Sequence, residues 1–345
     1  MPTIRDVAKK AGVATTTVSR VLNNSGYVSV ATRARVEAAI QELGYVPNRV
    51  ARSLRLKRTN TLALVVTDIT NPFWTTIVRG VEDAANEAGF TVVLCNTDES
   101  PAKQDAYLQV LLQKRVDGIL LAPVRSMAEP VAVIQRQGVL VVVLDRRVPG
   151  AAVDVVRCDS EGGAYQLVRC LLDLGHRRIG MLTGPEDVST SVDRVVGYRR
   201  ALREAGLGEA DEWVRYGHFT IDSGAQGAYE MLDLHSRPTA LFAANNFIAT
   251  GALRVLREAG LDVPGDVSLV TFDELPCDPS STPFLTVADQ PGYEMGQQAT
   301  ELLIARLSDP AANGYKEIVL PTQIVVRRSC GPPEQLAEAS SRSSV

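Results

Sequence analysis

Thr15, Thr16, Thr17, Ser19, Arg20 and Asn23 fall within one nine-residue run of the chain. Hydroxyls of threonine and serine reach phosphate oxygens, an amide addresses base edges, and an arginine forks onto the O6 and N7 atoms of guanine. On one short helical face, these side chains would read a DNA duplex. The three threonines would also serve as a capping cluster on a solvated helix, so the run alone leaves two readings open.

A second set is spread along the chain. Asp145, Arg146, Arg194 and Asp273 are the polar residues most suited to a polyhydroxylated ligand. A carboxylate accepts two hydroxyl protons, and a guanidinium spans vicinal hydroxyls. Phe73, Trp74 and Phe219 offer flat apolar faces for a pyranose ring or a base. Each also has a plainer role, because strand-end carboxylates cap helices and aromatics fill cores.

Other chemistry has no foothold. The chain contains no GxxxxGK phosphate loop, no GxSxG elbow and no HExxH pair. His176, His218 and His235 are far apart, and the five cysteines include no CxxC. No cofactor, metal centre or catalytic constellation is therefore expected, and the scattered thiols suit a reducing cytoplasm. The N-terminus has no apolar signal-peptide core, and the longest apolar stretches are strand-sized, far short of the ~20 residues of a membrane helix.

The elements that would position the first set are short helices. Thr3 caps a helix with Ile4, Val7, Ala8 and Ala11 on one face, and Gly12 ends it. Val18, Val21 and Leu22 form the inner face of a second helix. A third, about 31–43, turns Val36, Ala39, Ile40 and Leu43 inward and stops at Gly44. Two short helices about a glycine turn make a helix-turn-helix, completed by the third. After Pro47 comes the basic segment 48–55, with Ala51 and Leu54 spaced i, i+3. Leu54 between arginines makes sense as an apolar wedge in a minor-groove base step; the alternative is a charged linker with an incidental leucine.

Charge follows the same division. The 345 residues carry a net charge of −4, yet residues 1–60 hold eleven Lys/Arg against three acids, a net of +8. The remaining residues hold 25 basic against 37 acidic side chains, a net of −12. A basic head on an acidic body marks a polyanion-binding module joined to something else.

In the body, β-branched runs alternate with amphipathic stretches. Strands are expected at 62–66, 91–95, 118–121, 139–144, 179–182, 240–243 and 267–272. Helices are expected near 73–88, 102–115, 160–174, 191–205, 223–234, 246–259 and 292–307. Such alternation produces doubly wound parallel sheets, whose ligands sit beyond the carboxyl ends of strands. The residues there are Asp68, Asn71–Trp74, Asp98, Asp145, Asn245 and Asp273. The tail 331–345 is rich in Ser, Pro and Glu and lacks leucine heptads, so it reads as a disordered end.

These motifs resemble the LacI/GalR-type bacterial transcriptional repressors. The resemblance is carried by the run 3–13, by 17–23, by Leu43–Asn48 and by Ala51–Leu54. It continues through Asn71-Pro72-Phe73-Trp74, Val116–Ile119, Leu174–Ile179, Arg237–Phe242 and Val263–Asp273, in colinear order from residue 3 to about 328. It implies an α/β protein: a three-helix DNA-binding domain over 1–46, a hinge helix over 47–58, and a two-lobed periplasmic-binding-protein-like body over 59–328. Lobe crossovers would fall near 159, 289 and 321, with a disordered tail over 329–345. It implies Thr15, Thr16 and Arg20 as major-groove contacts and Leu54 as the wedge beside Ala51. Thr17, Ser19, Asn23, Asn48 and Arg55 complete the DNA-facing set, with Arg20 and Arg55 at positions that vary in the family. The partners implied are a pseudo-palindromic operator, a second copy of the chain, and a small effector. Effector contacts would be Phe73, Trp74, Asp145, Thr190, Arg194, Phe219, Asn245, Asp273 and Gln290. Two departures bear on the effector. Asn245-Asn246 stands where the family often has Asn-Asp, which would remove one carboxylate near the cleft, and Val188 stands where the purine-binding branch has an arginine, which argues against a nucleobase; the carboxylates with one arginine and an aromatic point to a sugar or polyol. Co-regulation by a partner protein or a nucleoside is the alternative; a solute-binding protein would have no use for the basic head, and no nucleophile–base or metal constellation supports an enzyme.

Leu54→Ala should weaken binding to the specific operator far more than binding to random DNA, as read by fluorescence anisotropy; equal losses on both would remove the wedge role.

Overall fold

The computed structural model describes residues 2–46, 58–208, 211–275, 282–309 and 314–333. The chain divides into two units, Met1–Thr59 and Asn60–Val345. Asn48, Ala51, Leu54 and Arg55 of the expected hinge, and the tail from 334 onward, lie outside the described residues.

The first unit contains α1 (Ile4–Ala11), α2 (Thr15–Leu22) and α3 (Val30–Leu43). Thr3 and Asp6 cap α1 reciprocally: the Thr3 amide donates to Asp6 Oδ2 at 2.8 Å and the Asp6 amide to Thr3 Oγ1 at 3.4 Å. These bonds from Thr3 hold the Asp6 carboxyl below its usual range. Gly12 and Gly44 end α1 and α3 at φ of +63° and +58°, a left-handed conformation that glycine adopts without a Cβ clash. Val7, Val18 and Val36 meet in a fully buried core with Ala8, Ala11, Val21 and Ala39. One expectation fails here. The threonines do not cap α2; Ala14 occupies the cap position without any side-chain bond, and Thr15 and Thr16 lie inside the helix, exposed.

The second unit has two lobes. β1 (Thr61–Val66), α4 (Pro72–Glu87), β2 (Thr91–Asn96), α5 (Pro101–Lys114), β3 (Gly118–Leu121), α6 (Glu129–Arg136), β4 (Leu140–Leu144) and β5 (Asp154–Cys158) begin the first. The second lobe follows with α7 (Ser160–Asp173), β6 (Ile179–Thr183), α8 (Ser189–Glu204), β7 (Val214–Tyr216) and α9 (Ile221–Leu232). It continues with β8 (Ala240–Ala243), α10 (Asn246–Glu258), β9 (Ser268–Phe272) and β10 (Thr286–Asp289). The chain then returns to the first lobe with α11 (Gly292–Ser308) and β11 (Glu317–Leu320), and ends in the second with β12 (Gln323–Val325).

The first sheet has the order β11-β5-β4-β3-β1-β2 and is parallel throughout. The second has the order β12-β10-β9-β8-β6-β7, parallel except for β12 against β10. Central strands are buried on both faces, as parallel sheets sandwiched between helices require. A buried ion pair secures the returning segment: Arg306 donates to both oxygens of Asp154 at 2.8 Å, and the Lys316 amide donates to Asp154 Oδ1 at 2.7 Å.

Residues 329–331, read from sequence as the start of a disordered tail, are packed into the second lobe. The Ser329 side chain is fully buried, and its Oγ accepts from the Thr286 amide at 2.8 Å. The Gly331 carbonyl accepts from His176 Nε2 at 2.8 Å and from Ser268 Oγ at 3.1 Å. Burial holds the His176 imidazole below its ordinary pKa, so it serves as a neutral hydrogen-bonding clasp.

α4, whose first turn faces the space between the lobes, is set by close backbone approach to α11. A Cβ on Gly80 would lie 2.1 Å from the Tyr293 carbonyl oxygen, and one on Gly296 would lie 2.3 Å from that of Ile77. Gly80→Ala should therefore push the two helices apart and cost about 1–3 kcal/mol, the usual scale of overpacking. Chemical denaturation should show the lowered midpoint with an unchanged slope.

Candidate functional site

In the first unit, α2 presents Thr15, Thr16 and Arg20 to solvent, with Thr17 half-buried. Its inner face is Val18 and Val21, so the helix is anchored from beneath while its N-terminal hydroxyls and one guanidinium remain exposed. Ser19 and Asn23 are tied to each other instead. Asn23 Nδ2 donates to the Ser19 carbonyl at 2.7 Å and to Ser19 Oγ at 3.2 Å, which closes the end of the helix and leaves the Ser19 hydroxyl hydrogen and Asn23 Oδ1 uncommitted by these bonds.

In the second unit, a cleft of about 420 Å³ lies between the lobes. Phe73, Trp74, Asp145, Thr190, Arg194, Phe219, Asn245, Asp273 and Gln290 all line it, although more than 200 residues of sequence separate the first from the last.

Both lobes deliver a carboxylate in the same way. Asp145 follows β4 and Asp273 follows β9, and each adopts a left-handed backbone, φ +63° and +66°. The Asp145 amide donates to the Val156 carbonyl at 2.9 Å, and the Asp273 amide donates to the Ala288 carbonyl at 3.1 Å. Aspartate tolerates this conformation better than most residues. The turn ends the strand and aims the side chain inward. Burial raises both carboxyls above the usual range, against the opposing pull of Arg194 and, for Asp145, of Arg146. Asp273 is pushed up to about 6, and Gln290 Nε2 donates to its Oδ1 at 2.7 Å.

Arg194 reaches in from α8 and is buried. One guanidinium nitrogen donates to the Ala244 carbonyl at 2.6 Å, and the group stacks 3.9 Å from the centre of the Phe272 ring. No carboxylate among the described residues lies within ion-pair distance. Burial lowers its pKa, while Asp273 and Asp145 act to raise it. Arg146 is committed differently. It donates to both oxygens of Glu99, at 3.1 and 2.7 Å, and to the Pro123 and Val124 carbonyls, each at 2.8 Å. It is therefore a strut more than a ligand arm, and Glu99, which the sequence reading missed, lines the cleft with it. Asp98, read from sequence as a strand-end candidate, faces solvent and pairs with Lys103 and Asn96.

Several buried atoms find no protein partner. Asp145 Oδ1 and Gln290 Oε1 are acceptors, Arg194 Nε and Arg146 Nε are donors, and Thr67 Oγ1 is both. Leaving such groups unmatched is costly unless a ligand or water completes them. Alternating acceptors and donors match hydroxyl groups, each of which gives one hydrogen bond while receiving another. The aromatics divide. Phe73 and Phe219 are partly open, whereas Trp74 is only 5% exposed and belongs chiefly to the first-lobe core, packed edge-on to Phe73 at 5.2 Å.

The two departures noted in sequence resolve structurally. Val188 is buried ahead of α8 and does not line the cleft. Asn246 does not line it either; it lies behind Asn245, which caps α10 by accepting from the Ile248 amide at 2.9 Å. An asparagine at 246 therefore removes no carboxylate from the cleft wall.

Residues 3–48 match the family described as "Bacterial regulatory proteins, lacI family", and residues 59–321 match "Periplasmic binding proteins and sugar binding domain of LacI family". Among relatives, the HTH-type transcriptional repressor PurR of Photobacterium profundum is 35% identical over 331 residues, spanning 95% of this chain and 98% of that one. A structure of the transcriptional regulator CelR in complex with cellobiose is 38% identical, with TM-score 0.72, covering 95% and 100% of the two chains. The lac repressor dimer bound to operator and the anti-inducer ONPF is 29% identical, with TM-score 0.83, covering 96% and 99%.

The raised Asp273 carboxyl has a signed consequence for stability. With a folded-state pKa of about 6 against the ordinary aspartate value of about 3.8, the folded chain binds more protons than the unfolded one between those values. This group's contribution to stability therefore rises as pH falls from 7 to 5. Asp273→Asn should flatten that part of the pH dependence by an amount on the order of 1–3 kcal/mol, read as the difference between the two melting curves across pH 5–7.5.

Proposed function

The chain belongs to the LacI family of bacterial regulatory proteins, and from that we propose that it is a repressor whose hold on an operator is set by a neutral sugar or polyol in the interlobe cleft. Its relatives are transcriptional repressors rather than enzymes, and members of the family bind operators as dimers under the control of small effectors. Among the described residues no helix is long and apolar enough to cross a membrane. Operator binding would place the protein with the chromosome, in the cytoplasm.

The observation that carries the effector reading is the set of unmatched atoms around Arg194. Asp145 Oδ1 and Gln290 Oε1 would accept hydroxyl protons, Arg194 Nε would donate back to a hydroxyl oxygen, and Phe73 and Phe219 would flank the ring. Charge narrows the class. Asp68, Glu99, Asp145 and Asp273 outnumber Arg146 and Arg194, and both terminal nitrogens of Arg146 are already engaged by Glu99, one of them also by two carbonyls. A phosphorylated or carboxylated ligand would meet an electronegative wall. The cellobiose in the CelR complex belongs to the same chemical class.

Thr15, Thr16 and Arg20 would then be the base- and phosphate-contacting residues of α2, with Leu54 as the minor-groove wedge. A second copy of the chain would cover Val93 and Leu94, which are exposed on the edge strand β2, and Tyr107 and Val110, exposed on α5. Apolar side chains on an open sheet edge invite such pairing. β1 starts immediately after the segment that joins the head to the body. Relative motion of the lobes would thus be transmitted to that segment and to the spacing of two heads on one operator.

Isothermal titration of the full-length protein with cellobiose, D-ribose, D-ribose 5-phosphate and adenosine tests this reading. At least one of the neutral sugars should bind, the phosphate ester should bind more weakly than D-ribose, and Asp145→Asn or Arg194→Ala should weaken the sugar about tenfold or more. Adenosine binding tightly while both sugars fail would overturn it.

A further inference from the structure

At the back of the cleft, two asparagines face each other across the lobe boundary: Asn71, which lines the cleft, and Asn246, which does not. Asn71 ends the loop after β1 in the first lobe, and Asn246 opens α10 in the second. Asn71 Nδ2 donates to Asn246 Oδ1 at 2.9 Å, and Asn246 Nδ2 donates to Asn71 Oδ1 at 3.0 Å. Asn246 is fully buried and Asn71 is 6% exposed. Several other interlobe polar contacts among the described residues have a different character. Arg125 with Asp187 and Arg147 with Asp193 involve partly exposed side chains, and the Ser189 amide donating to Ser126 Oγ is only partly buried. Water competes with those pairs when they form and replaces them when they part. Around the asparagine pair it is excluded, so opening the lobes without hydration would strand two amides.

Each asparagine is also wired to its own side of the cleft. Asn71 Oδ1 accepts from the Phe73 amide at 3.1 Å, which sets the first turn of α4 and with it the ring of Phe73 at the cleft wall. The second Nδ2 hydrogen of Asn246 goes to the Glu274 carbonyl at 2.9 Å. Glu274 immediately follows Asp273, the cleft carboxylate in the left-handed turn, and Arg327 clasps its side chain, with one bond of 2.9 Å to Oε2. The turn that aims Asp273 and the bond that joins the lobes therefore share one peptide segment.

We propose that Asn71 and Asn246 are a buried, charge-neutral latch between the lobes, which couples the aim of Asp273 to lobe closure. The two act as positioning residues: neither lines its effect through direct charge, and neither titrates, so the latch holds with the same strength across physiological pH. An ionised carboxylate cannot take either place in this ring, because each member must donate and accept at once. The latch extends the effector-cleft reading but is tested without any effector, so the two stand or fall separately.

Hydrogen exchange with mass spectrometry on the full-length, ligand-free protein supplies the test. Asn246→Asp removes both donors of residue 246 and keeps its acceptor. Asn71→Asp keeps the acceptor that caps α4 and removes only the cross-lobe donor. With Asn246→Asp, peptides spanning 68–74 in the opposite lobe should exchange at least tenfold faster. With Asn71→Asp, peptides spanning 245–249 and 272–275 should do the same, while β3 and β6 remain as protected as in the parent. Acceleration confined to the lobe that carries the substitution would reduce each residue to a local helix cap and overturn the latch. Should Asn246→Asp fail to fold, Asn71→Asp decides the question alone, since its capping acceptor is retained.

Discussion

Arg194 is a buried guanidinium held against one carbonyl and an aromatic face, with two carboxylates near enough to stabilise its charge and too far to form an ion pair. Much of the second unit can be understood from that constraint. A charge taken out of water needs compensation, and here it comes from one aspartate of each lobe, delivered by matching left-handed turns at the ends of β4 and β9. Because the compensating groups belong to different lobes, the electrostatics of the site are a property of the lobes together. A hydroxylated ligand inserted among these groups would complete bonds that the protein leaves unmade, which is where differential affinity for one lobe arrangement would come from.

The two units divide the physics between them. The head is small, basic and held by a handful of valines and alanines; its exposed side chains suit a polyanion, and its affinity would depend steeply on salt. The body is large, acidic and built on two largely parallel sheets, and its cleft is lined by buried polar groups. The body's net charge of −12, which would discourage DNA from lying along it, is consistent with a cleft whose carboxylates outnumber its guanidiniums. The near-neutral whole is the cancellation of two specialised halves.

Long periodic elements were legible in the chain. The seven expected strands and seven expected helices all appear with boundaries shifted by at most two residues, because buried β-branched runs and amphipathic faces write their burial directly into composition. β5, β7, β10, β11, β12 and α6 were not. β7 and β12 are three residues each and lie at sheet edges, while β11 is an edge strand largely open to solvent. β5 begins with Asp154, a polar residue that is tolerable in a strand only because Arg306, 152 residues away, satisfies it. Local sequence holds no trace of that partner. The capping threonines failed for a related reason: Ala14 reached the cap position first, and the backbone closed the turn unaided.

What the chain by itself determined is therefore its parts list and family: a basic three-helix head, alternating strands and helices, and nine cleft residues named by resemblance in a chain that scatters them. Tertiary structure alone decided which of these are available. It showed that Arg146 is braced by Glu99, that Trp74 is mostly core, that Asn23 is tied back to Ser19, and that Asn246 stands behind the cleft, bonded to Asn71. The physical reason is that availability is set by what else satisfies a polar group. That is a matter of distances between residues far apart in the chain, and residue type and spacing do not encode it.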